Sequence, residues 1–131
     1  MIFAEDFLSP RCAFLSVVSA DPAEVVAALS ARGLYVAVVR GGDVVSKETL
    51  LAEFAESLRF PDWGRNWDAL LDLLRGLSWL DGPAGYVIAM ADADAFLRNA
   101  PEAAAMALAI CGDAAEFWRE QGRAFRVVLL F

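Results

Sequence analysis

The sequence predicts an α/β fold: a small layered domain whose three- or four-stranded, mostly parallel sheet is packed with helices. Three observations carry that prediction. The length of 131 residues is that of one domain, since domains usually run to roughly 100–200 residues. Hydrophobic residues make up 59% of the chain and charged residues 22%, which is enough apolar surface for a core and too much for a disordered segment. Short apolar runs alternate with segments of helical spacing, and strands separated by helices pair in parallel through right-handed crossovers.

In chain order, residues 14–18 read as a strand. Asp21-Pro22-Ala23-Glu24 then opens a helix, with Asp21 as N-cap, Pro22 at the first helical position and Glu24 reaching back as in a capping box. Val25, Val26 and Leu29 give it an apolar face, and Gly33 ends it. Residues 35–39 form a continuous apolar run such as a buried parallel strand shows. Gly41-Gly42-Asp43 is a turn. Ser46 can cap a helix on which Leu50, Leu51, Phe54, Ala55 and Leu58 share a face, and Pro61 halts it. After a loop over residues 60–65, Asn66 can cap a further helix running to about Leu77. Residues 86–90 are the third strand and 92–98 a short helix. Asn99 to Glu102 carry N-cap and N3 chemistry for a long helix ending at Gly122. Residues 125–131 are the last strand, apolar except at Arg126.

Composition narrows the function classes. The longest apolar run, residues 103–111, is about half of the ~20 residues a membrane span needs. Met1-Ile2-Phe3-Ala4-Glu5-Asp6 has acids where a signal peptide keeps its apolar stretch, so a cytoplasmic protein with no membrane partner is expected. The chain has no histidine, which removes the commonest general base and the commonest metal ligand together. Cys12 and Cys111 cannot make a four-ligand zinc site and are expected reduced and buried. Eighteen acids against eleven bases give a net charge of −7, shared by both halves of the chain. That balance argues against nucleic-acid binding through phosphate neutralisation and suits a basic protein partner.

The sharpest local signal lies in residues 60–79. On the helix from Asn66, Trp67, Leu70, Leu71, Leu74 and Leu77 mark one broad apolar face. Asp68, Asp72 and Arg75 fall at i, i+4 and i+7, a row on another face. Asp68 sits in the first turn, where the helix dipole favours it; Asp72 lies farther in, and Arg75 is placed to neutralise it in part. A row of charges is most often only a solvated face. Here Trp63, Trp67 and Trp79, three of the four tryptophans, crowd the same stretch, and aromatics beside charges mark the centre of an interface as readily as a core.

These residues resemble the barstar family of intracellular ribonuclease inhibitors. A strand ending in a glycine turn (Val36 to Gly42) leads to Ser46-Lys47-Glu48-Thr49-Leu50 opening a helix. Then comes Phe60-Pro61-Asp62-Trp63-Gly64-Arg65-Asn66-Trp67-Asp68-Ala69-Leu70, with Asp72 one turn on. Trp118 to Gly122 and a terminal apolar strand close the pattern. The resemblance covers residues 35–131 and implies a single domain over 1–131, with a barstar-like core preceded by a β-α extension over 1–34. It implies a protein that occludes the basic active site of a ribonuclease with an acidic helix and the loop before it, needing no cofactor. By position, Asn66, Trp67, Asp68, Asp72 and Gly76 match interface residues, with Asp72 the central acid, and Trp63 stands in the loop that precedes them. Leu71 replaces an interface tryptophan, and Arg75 stands where a neutral residue is expected. Glu116 and Glu120 compete for the place of an acid on the last helix.

The reading is therefore an immunity protein against a ribonuclease or related toxin made by the same cell, a monomer or a dimer through the extension. Its nearest rival keeps the fold and binds a different basic protein as an adaptor. Two enzyme readings are weaker. Asp92-Ala93-Asp94 after a strand could hold Mg²⁺, but it equally suits a helix start. Asp68 with Asp72 as a glycosidase pair would lie on one side of a bond that such chemistry flanks. Asn66 is either the helix cap or a direct contact, and Gly64 is expected to let the loop turn into the helix.

Overall fold

The computed structural model describes residues 14–131, so Cys12 lies outside the described residues. The elements are β1 (Leu15–Val18), α1 (Pro22–Ser30), β2 (Leu34–Arg40), a 3-10 turn at Gly41–Asp43, α2 (Lys47–Ser57), α3 (Trp67–Leu74), β3 (Gly85–Ala91), α4 (Ala93–Asn99), α5 (Pro101–Glu120) and β4 (Ala124–Leu130). The strands form one four-stranded parallel sheet in the order β1-β4-β3-β2. The expected α/β class holds, with every strand pair parallel.

Alternation along the strands divides the interior in two. Ala37, Val39, Tyr86, Ile88, Met90, Phe125, Val127 and Leu129 point to one face, where they meet the apolar sides of α2, α3, α4 and α5. Leu34, Val87, Ala89, Ala124, Val128 and Leu130 point to the other, which Val25 and Leu29 of α1 cover. Burial on both faces is why β2, β3 and β4 read as nearly continuous apolar runs, broken within β4 only by Arg126. β1 lies beside β4, with Leu15 opposite Val127 and Val18 opposite Leu130. The β1–α1 unit therefore adds an edge strand and the cover of the second face. Among the described residues no helix is long and apolar enough to cross a membrane.

Several boundaries differ from the sequence expectation, each for a local reason. Asp21 caps α1 by accepting from the Ala23 N–H at 3.0 Å, while the Glu24 N–H bonds the Asp21 carbonyl. The cap thus works without Glu24, and the capping box is instead at α2. There Ser46 Oγ accepts from the Thr49 N–H and Thr49 Oγ1 accepts from the Ser46 N–H. α2 stops at Ser57, before Pro61, because Arg59 turns left-handed at φ 53° and the Phe60 N–H returns to the Ala55 carbonyl at 2.9 Å, a Schellman closure with arginine in the glycine position. α3 ends at Leu74, not Leu77; Arg75 is its C-cap and Leu77 takes φ 52°. Asn99 does not cap the long helix. It completes α4, and Ala100 precedes Pro101 at the start of α5 with no side-chain cap. Gly122, at φ 74°, ends α5 as expected.

Cys111 is buried in α5, and burial pushes its thiol up to about 12 from an ordinary 9.0. The folded state therefore holds this proton more tightly than the unfolded one. The stability linked to it is intact below about pH 9 and falls as pH climbs towards 12. In a Cys12→Ser protein at pH 8, iodoacetamide is expected to leave Cys111 unmodified by mass spectrometry until denaturant opens the fold. Rapid labelling of the native protein contradicts this placement.

Candidate functional site

A local cap fixes the start of α3, and side chains distant in sequence hold its end. Asn66 Oδ1 accepts from the Ala69 N–H at 2.8 Å, and Asn66 Nδ2 donates to the Gly64 carbonyl at 3.3 Å. At the other end Trp118 Nε1 donates to the Leu74 carbonyl at 2.7 Å and the Tyr86 hydroxyl donates to the Leu77 carbonyl at 3.3 Å. Carbonyls left without helical partners at a C-terminus are thus satisfied from α5 and β3. Leu70, Leu74 and Leu77 are fully buried, and Trp67 and Leu71 are half-buried against them.

The opposite side of α3 faces solvent. Asp68, Asp72, Arg75 and Gly76 are all exposed, the first two on the helix, Arg75 at its C-cap and Gly76 just beyond. Among the described residues no ion pair joins Asp68 or Asp72 to any cation, Arg75 included. The neutralisation of Asp72 expected for Arg75 is absent. Arg75 instead lines a groove with Asp113, Glu116, Phe117 and Glu120 of α5, which puts both candidate glutamates on the same side of the molecule as the end of α3. Glu116 is bound to Arg119.

The preceding loop is held by aromatic packing. Phe60 meets Trp63 edge-on at 5.1 Å and Trp79 edge-on at 6.3 Å between ring centroids. Trp79 Nε1 donates to the Leu58 carbonyl at 2.9 Å, though 39% of the residue stays exposed. The left-handed residue before the helix is Arg65, at φ 54°, and not the expected Gly64. Gly64 serves another purpose: a Cβ there would come within 3.0 Å of Asn66 Nδ2 and press on the cap.

Asn66→Ala is expected to lower the stability of the fold by about 1 kcal/mol through loss of the cap, measured by chemical denaturation, with Asn66→Asp keeping most of it. An alanine variant as stable as the parent contradicts the capping role.

Two contributors escaped the sequence reading. Lys47, the first residue of α2, lays its ammonium 5.4 Å from the centre of the Trp67 ring. Arg123 stacks on Tyr86 and Trp118 at 4.9 and 5.3 Å and donates to the Gly82 carbonyl. Lys47 is the only lysine, a signal that was visible without its partner. Asp94 lies 3.7 Å from Arg98 one turn on, and no cluster of three metal-ligating side chains occurs among the described residues.

This arrangement, an acid-bearing helix capped by asparagine behind an aromatic loop and over a parallel sheet, matches a known sequence family. The family model described as Barstar (barnase inhibitor) matches residues 34–130. The chain belongs to the barstar family. The match spans β2 to β4 and leaves β1 and α1 outside it. A search of curated proteins finds no match. Barstar-family proteins are ribonuclease inhibitors rather than enzymes, and their partner is a protein.

Proposed function

We propose that this protein is a cytoplasmic immunity protein that inhibits a ribonuclease by seating α3 and the loop before it in the enzyme's basic catalytic cleft. The observation that carries the reading is the exposure of the Asp68 and Asp72 carboxylates on a rigidly held helix, without an ion-pair partner among the described residues. Carboxylates already tied to their own arginines would have to break those pairs to bind. Unpaired ones meet a cationic cleft in place of substrate phosphates at no such cost. Asp72 is the dominant charge, Asp68 and Asn66 assist, and Trp67, Trp63, Leu71 and Gly76 supply contact surface around them. No cofactor takes part, since occlusion requires only that the cleft be filled.

Titration against barnase and a panel of secreted bacterial ribonucleases tests the reading. A tight complex whose association slows as salt rises supports it, because steering by opposite charges is screened beyond roughly a Debye length. Absence of binding across the panel, with capture of a basic non-nuclease partner instead, moves the protein to the adaptor reading.

A further inference from the structure

The partner-facing segment is not uniformly acidic. Between residues 59 and 76 three acids, Asp62, Asp68 and Asp72, are matched by three arginines, Arg59, Arg65 and Arg75. The pairing of cations across the molecule is uneven too. Arg40 is held by Glu53, Glu56 and Asp43, Arg98 by Asp94 and Arg119 by Glu116. Lys47, Arg65 and Arg75, the cations around α3, have no ion pair among the described residues.

Two of these unpaired cations share a cavity. A groove of about 350 Å³ runs between α2 and the loop before α3, with Leu51, Ala55 and Trp63 among its apolar walls and Lys47, Arg65 and Glu48 as its charged residues. Arg65 is set there by its left-handed backbone at φ 54°, a conformation that non-glycine residues rarely adopt. Lys47 rests against Trp67, so the groove adjoins the helix that carries Asp68 and Asp72. Its cations outnumber its single carboxylate, and its apolar walls favour contact with a side-chain stem. A cationic mouth over an apolar wall matches an acidic side chain.

We infer that the Lys47–Trp63–Arg65 groove receives an acidic side chain of the nuclease, one standing beside its cationic cleft, so that the interface has two poles of opposite sign. This rests on the reading of α3 as the inhibitory helix and adds a selectivity element to it. A nuclease with a cationic cleft and cationic surroundings meets repulsion at Lys47 and Arg65, whereas one with a glutamate or aspartate at the rim is accepted. Selectivity through a repulsive element of this kind is common at specific interfaces.

The sign of a charge reversal separates this from a purely acidic plug. Wild type, Lys47→Glu, Arg65→Glu and Asp72→Ala are titrated against barnase and the ribonuclease panel, with thermal melts to show that each variant is folded. Both reversed residues are exposed, and a glutamate in the first turn of α2 suits the helix dipole, so the fold is expected to survive. If the groove takes an acid, each reversal weakens binding to the preferred ribonuclease by about tenfold or more. If the reversals leave binding unchanged or tighten it, as added negative charge facing a cationic cleft would, the inference is overturned and the plug stands. If wild type binds no ribonuclease, or Asp72→Ala binds as wild type does, it is the inhibitory reading that fails.

Discussion

Asp72→Ala is expected to weaken the complex with the target ribonuclease by about 2 kcal/mol or more, a size set by close interfacial charge pairs and resting largely on barnase–barstar itself. The melting temperature of the free protein is expected to stay close to that of wild type. Both halves follow from where the carboxylate sits. Asp72 is exposed on α3 and makes no ion pair among the described residues, so its removal breaks nothing inside the free protein. In the complex the same deletion leaves the partner's cations buried without a counter-charge, and most of the loss appears as faster dissociation. Calorimetric or surface-based titration of both proteins checks the first half, and a thermal melt checks the second. A variant that binds normally, or one that loses binding only because it unfolds, contradicts the role given to Asp72.

Gly85→Ala is expected to have the largest effect on the fold itself, about 3 kcal/mol or more. Gly85 opens β3 at φ 137°, and a Cβ there would lie 2.2 Å from the Ala124 carbonyl oxygen. That contact is with the backbone of β4, so no side-chain rotation relieves it. Gly85 is paired on both sides, with Leu34 of β2 and Ala124 of β4, and displacement of the strand end disturbs the sheet at its centre. Denaturant titration measures the loss. A Gly85→Ala protein of wild-type stability contradicts the close packing of these two strands.

The sequence made the layout of the fold legible because β2, β3 and β4 are covered on both faces. Residues 35–39 and 86–90, and 125–130 apart from Arg126, show as apolar runs, and the Ser46 and Asn66 caps announce their helices. Element ends were less legible where tertiary contacts set them. The apolar spacing runs on to Leu77 past Gly76, itself a local stop signal. α3 ends at Leu74, and the indole of Trp118 and the hydroxyl of Tyr86, both distant in sequence, take up the freed carbonyls. Asn99 has the chemistry of a cap, yet α4 extends through it because Phe96 is buried and the Ala100 N–H bonds back to the Phe96 carbonyl. Left-handed turns at Arg59 and Arg65 carry no glycine to mark them.

At the site, the row of Asp68 and Asp72 was legible from helical spacing alone. The expected partner of Asp72 was not, since i+3 spacing makes a contact with Arg75 available without making it occur. Arg75 instead faces the groove it shares with α5, an arrangement that depends on how two helices pack. The cationic groove was hidden for the same reason: Lys47 and Arg65 are far apart in sequence and come together only when α2 lies against the loop.

Whether the folded, acid-bearing helix shuts RNA out of a nuclease cleft is tested most directly by a turnover titration. With a bound ribonuclease from the panel, cleavage of a fluorogenic oligonucleotide should fall in proportion to added inhibitor and reach its floor at one molecule per enzyme. An active-site nucleotide should slow formation of the complex. A stable complex in which the ribonuclease still turns over RNA at its full rate would contradict the account.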